Sequence, residues 1–76
     1  MRMDNFRIQR NMPFVKRGMR VKSTYSGKSG RISGVNNSEN LNVIFDGEKH
    51  ISNCHPTWMM QYLNSDGVVI AEYSAK

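Results

Sequence analysis

The clearest periodicity in the chain lies at residues 19 to 23, where Met19 and Val21 alternate with Arg20 and Lys22. A two-residue period is that of a strand buried on one face, so the apolar pair is expected in a core and the basic pair opposite. Ser26, Gly27, Ser29 and Gly30 then mark a turn, and residues 31 to 35 resume extended structure. Gly34 breaks the parity between Ile32 and Val35, which predicts a bulge. A polar turn over residues 36 to 40 precedes a third strand at Leu41 to Phe45, rich in β-formers. Asp46-Gly47 follows at once. A three-residue loop of Phe45, Asp46 and Gly47, with Gly47 left-handed, would pair Leu41 with Ile51 and Val43 with Lys49, and a fourth strand would run from Glu48 to Asn53.

Further along, Pro56 presets a single tight helical turn over residues 55 to 59, and Tyr62-Leu63 continues as a short strand. After the turn at residues 65 to 67, Val68 to Tyr73 forms a last strand or a pairing tail, within a C-terminal stretch of residues 65 to 76. Residues 1 to 13 show neither helical nor strand spacing and are read as a flexible basic arm, with Pro13 marking its end. The expectation is an all-β protein: a small five-stranded antiparallel barrel over residues 14 to 64, closed so that no long edge is exposed. Val21, Ile32, Leu41, Val43, Ile51 and Leu63 are expected inside it.

Gly18, Arg20 and Val21, followed by Gly27, Gly30, Ile32 and Val35, resemble the KOW pattern of NusG-like transcription factors and several ribosomal proteins. In that pattern a glycine precedes a strand, a glycine pair shapes the turn and a second strand follows. Leu41 to Gly47, the turn at His55 to Trp58, and Tyr62-Leu63 look like the remaining strands and helical turn of an SH3-like barrel. The resemblance spans residues 14 to 64 and implies a fold of that kind and a link to the transcription or translation machinery.

Length and charge narrow the function. A chain of 76 residues with a mean hydropathy of −0.60 holds one small core, too little for an enzyme pocket set between packed layers. There is no apolar run of membrane-spanning length and no secretory apolar stretch near Met1, so a cytoplasmic protein without membrane contact is expected. One cysteine, Cys54, excludes an internal disulfide, and with His50 and His55 it supplies too few ligands for structural zinc; no metal or cofactor is expected. Cys54 beside His55 makes a poor nucleophile–base pair, since neighbours on a strand face opposite sides. Gly27-Lys28-Ser29 lacks the earlier glycine of a phosphate-binding loop, because Lys22 stands at that position.

The net charge of +5 is unevenly spread: residues 1 to 31 carry +8 and residues 32 to 76 carry −3. Such polarity argues for attraction to a polyanion, although a solvated basic surface gives the same composition. The residues expected to hold RNA or DNA backbone are Arg7, Arg10, Lys16, Arg17, Arg20, Lys22, Lys28 and Arg31. Tyr25 is placed with them either as a stacking group for an unpaired base or as a barrel-edge aromatic. The leading expectation is therefore a non-enzymatic nucleic-acid-binding protein that modulates transcription or translation. The alternative is an adaptor, phage-encoded in keeping with its small size, that binds a host factor such as RNA polymerase or the ribosome through His55, Trp58 and Tyr62. For Trp58, with Met59 and Met60, a core plug under the barrel mouth is the first expectation and the partner anchor the second.

Overall fold

In a computed structural model, residues 2–74 are described. They form one short helix, α1 (Met3–Gln9), and six strands: β1 (Arg20–Ser23), β2 (Ser29–Val35), β3 (Leu41–Phe45), β4 (Ser52–Cys54), β5 (Met60–Leu63) and β6 (Val69–Tyr73). All neighbours pair antiparallel in one sheet of order β4-β3-β2-β1-β5-β6. The chain is thus mostly β, as its alternation predicts, but it has six strands where five were expected. The sheet is also not a closed barrel: β4 and β6 are its two edges and do not pair with each other among the described residues.

One face of the sheet carries the core, together with Phe6, Met12 and Val15. One inward row runs Ala71, Tyr62, Val21, Gly30 and Phe45 across five strands. Val21 and Tyr62 are fully buried, and Ile32, Leu41 and Val43 join them. Gly30 sits where β2 presses on β3. A β-carbon there would lie 2.6 Å from the Ile44 carbonyl oxygen and 2.8 Å from the Phe45 Cα, closer than real side chains come. The bulge expected near Gly34 is present, as a register shift between Ile32 and Gly34.

Two expected core members are displaced. Ile51 is 56% exposed, and Leu63 is half-buried on the outer face. In β5 the inward parity belongs to Met60 and Tyr62, so Leu63 points the other way. Ile51 precedes β4 because the loop after β3 is longer than a three-residue turn. Gly47 does adopt the left-handed φ of +84° and the Glu48 N–H bonds the Phe45 carbonyl, but pairing resumes only at Val43 with Ser52 and Leu41 with Cys54. The fourth strand shrinks accordingly to Ser52–Cys54.

The expected N-terminal arm is the largest correction. Residues 3–9 are helical, and Phe6, Met12 and Val15 are buried at 0–1% exposure with the sheet residues. The helix ends in a paired closure, with the Asn11 N–H bonding the Ile8 carbonyl and the Met12 N–H bonding the Arg7 carbonyl. Asn11 takes the left-handed conformation this motif needs, and the closure turns Met12 into the core. The C-terminal stretch is resolved in favour of a strand, β6, while Ala75 and Lys76 of the expected 65–76 segment lie outside the described residues.

The close approach at Gly30 makes a direct test. Gly30→Ala should lower the unfolding free energy by about 1–3 kcal/mol, the usual cost of overpacking, because backbone rather than a flexible side chain must move. Urea denaturation with a midpoint at or above that of the parent would contradict this placement.

Candidate nucleic-acid interface

The inward direction of Val21 turns its neighbours Arg20 and Lys22 outward. Register then decides what lies beside them. Arg20 stands directly across from Arg31, with Leu63 and Ile44 completing the outer row, and Lys22 stands between Gln61 and Ser29 in the next row. Arg17 reaches the same face from the segment before β1. Both its terminal guanidinium nitrogens lie 3.9 Å from where a Gly34 β-carbon would be. The sheet therefore gathers Arg17, Arg20, Lys22 and Arg31 on the outer face of β1 and β2. Lys16 is exposed beside Arg17, at the same end of β1.

Two like charges directly opposite on adjacent strands oppose folding. Asp46 offsets this, accepting hydrogen bonds from both Arg20 guanidinium nitrogens at 3.0 and 2.6 Å. The Arg20 bond holds the Asp46 carboxyl below its ordinary value of 3.8, and the nearby charge of Arg31 adds to the effect. Lys28 makes a similar pair with Glu48 at 2.9 Å, which likewise lowers the Glu48 carboxyl. Lys16, Arg17, Lys22 and Arg31 are exposed, and their side chains make no hydrogen bond or ion pair among the described residues.

Arg7 and Arg10 do not join the face. The Arg7 guanidinium donates to the Val15 carbonyl at 2.5 Å and to Asp4 at 2.9 Å, and Arg10 donates to the Glu39 carbonyl at 2.9 Å and to Asn40. Both fasten α1 to the domain, a structural role that an unstructured arm would not have given them. Tyr62, expected at a protein-binding surface, is fully buried. Its hydroxyl donates to the Pro56 carbonyl at 2.5 Å, and its ring makes edge contacts with Phe14 and Tyr73. Burial pushes the Tyr62 phenol far up, which keeps it a neutral donor. Burial also raises the Cys54 thiol, so it stays protonated near neutrality and is a weak nucleophile.

Trp58 is not a core plug: it is 47% exposed, and its ring lies 5.2 Å from that of Tyr25, which is 72% exposed. The sequence places these two residues 33 positions apart, and only the pairing of β1 with β5 brings their loops together. A cavity of about 730 Å³ adjoins Trp58, lined also by His55, Thr57, Glu72, Tyr73 and Ser74. No cluster of three or more potential metal-ligating side chains occurs among the described residues, and no helix there is long and apolar enough to cross a membrane. The chain matches no protein-family model, no curated protein and no solved structure.

The two carboxyls give a readout of this arrangement. A carboxyl that titrates lower when folded contributes stability above its unfolded value, and that contribution is lost as pH falls through the lowered one. In Arg20→Gln the Asp46 carboxyl should therefore rise toward 3.8 in an NMR titration while Glu48 stays low. An Asp46 titration unmoved by the substitution would show that the pair does not form in solution.

Proposed function

We propose that the protein is a non-enzymatic nucleic-acid-binding domain that holds RNA or DNA backbone across the outer face of β1 and β2. One observation carries the reading: Arg20 and Arg31 face each other across the strands with Arg17 and Lys22 beside them. A cross-strand pair of like charges works against the fold, and a polyanion is the ligand that turns it into an advantage. Arg17 lies over Gly34, and the Asp46 carboxylate occupies the Arg20 donors that a phosphate would take, so phosphate binding exchanges one anionic partner of Arg20 for another. The acids of residues 32 to 76 leave the molecule electrically polar, which orients its approach, although one of them, Glu72, lies in the same outer row as Lys22, across Gln61.

The resemblance to KOW domains belongs to the same proposal. It is supported by the succession of β1 to β4 as neighbours, the return of β5 to β1 and the glycine-shaped turn between β1 and β2. A role beside the transcription or translation machinery is what that resemblance implies. The adaptor reading is favoured by the cavity at His55 and Trp58, and it loses Tyr62 as a partner-facing residue.

Replacing Arg17, Arg20, Lys22 and Arg31 together by Gln should preserve the fold and weaken binding of a labelled oligonucleotide at low salt. The slope of log affinity against log salt should flatten by about 0.7–0.9 for each phosphate that the protein no longer neutralises. Asp46→Asn, which frees Arg20, should tighten binding in the same assay. A folded quadruple variant that keeps both its affinity and its salt slope would reject this face as the site and favour the adaptor.

A further inference from the structure

We infer that Tyr25 and Trp58 form a stacking platform for unpaired nucleobases, so that the ligand of the cationic face is a single strand rather than a duplex. The inference rests on the nucleic-acid reading above and specifies its ligand. Three observations lead to it.

The first is exposure. Two aromatic side chains from distant parts of the sequence come together at the surface rather than in the core, Tyr25 at 72% and Trp58 at 47% exposure. Their planes meet at 42° with centroids 5.2 Å apart, neither a parallel stack nor an edge contact. The pair thus leaves most of Tyr25 and about half of Trp58 available to another flat group.

The second is rigidity. The loop carrying Tyr25 is closed by the Ser23 N–H on the Lys28 carbonyl and the Gly27 N–H on the Ser23 carbonyl. It is pinned to the neighbouring segment by the Thr24 N–H on the Met59 carbonyl at 2.9 Å. On the other side, the Trp58 N–H bonds the His55 carbonyl, and the His55 imidazole accepts from the Thr57 N–H. Little backbone freedom remains to be lost when a ligand arrives, which favours affinity.

The third is charge. The platform stands at the end of β1 where Lys22 and Ser23 pair with Gln61 and Met60, so the cations lead from Arg17 through Arg20 and Arg31 to Lys22 and on to the aromatic pair. From Arg20 to the end of β1 at Ser23 is three residues, about 10 Å at the strand rise, and Tyr25 lies in the turn that follows. A strand whose phosphates lie along these cations has bases free to turn onto the rings, whereas in a duplex the bases are already stacked and paired. Stacking on aromatic side chains tolerates any base and is the usual partner of a cationic groove in single-strand binding. Unpaired bases are common to RNA and DNA, and the platform takes either.

Trp58 is the only tryptophan of the chain, so its fluorescence reports the platform directly. The probes are a single-stranded DNA ten-mer, an RNA ten-mer of matching sequence, an abasic ten-mer with the same phosphates, the DNA duplex and a proline-rich decapeptide. Both single strands should quench Trp58 and bind about 5- to 150-fold more tightly than the abasic strand. Tyr25→Ala, at an exposed loop position, should remove most of that advantage while leaving the salt slope unchanged. Equal binding of abasic and normal strands with unaltered fluorescence overturns the platform and leaves the phosphate face standing. Preference for the duplex also overturns it. Failure of every nucleic acid to bind overturns both readings, and quenching by the peptide alone assigns the aromatic pair to a protein ligand instead.

Discussion

The structure depends on the parity of β1. This strand lies near the middle of the sheet, paired on one side with β2 and on the other with β5, so the direction of one side chain fixes two rows at once. With Val21 inward, Tyr62 and Gly30 fall beside it in the core, and Arg20 and Lys22 meet solvent next to Arg31. A slip of one residue would bury two cations and expose the centre of the core, which the cost of an unpaired buried charge forbids. Core and cationic face are therefore two consequences of one register.

The open sheet needs its remaining gaps filled. At one end α1 supplies Phe6 and the turn after it supplies Met12, with Arg7 and Arg10 fastening that cover to the Val15 and Glu39 carbonyls. Beneath the turn between β4 and β5, Tyr62 bonds the Pro56 carbonyl and packs edge-on against Phe14 and Tyr73. Anchoring that turn from below leaves Trp58 on the surface, where it meets Tyr25. An aromatic residue in the core thus helps to hold another outside it.

Much of the sheet is legible in the sequence, because β1, β2 and β3 alternate and their turns carry glycine, asparagine and serine. The third strand, Leu41–Phe45, and the bulge before Gly34 both follow from local pattern. What local pattern does not carry is pairing at a distance. The helix escapes because its buried stripe rests on Met3 and Phe6, while Ile8, 78% exposed, breaks the apolar spacing, and its closing signal is an asparagine where glycine is commoner. Ile51 is an apolar residue among polar neighbours, which alone suggests an inward side chain, yet the loop after Gly47 shifts it out of the core. Tyr62 could not be told from a surface aromatic until β5 was paired with β1. For the site, alternation identifies Arg20 and Lys22 as outward, but the opposition of Arg20 to Arg31 and the meeting of Tyr25 with Trp58 require the register between strands.

The central claim is that one register creates a single ligand-binding face running from Arg17 to the aromatic pair. It is tested most directly by following backbone and indole NH signals in heteronuclear NMR spectra as a single-stranded oligonucleotide is added. The account requires the largest shifts at Arg17, Arg20, Lys22, Arg31, Tyr25 and the Trp58 indole, with β4 and the β6 edge little changed. Shifts confined to His55, Glu72, Tyr73 and Ser74, or scattered over the surface without regard to the outer face of β1 and β2, would contradict it.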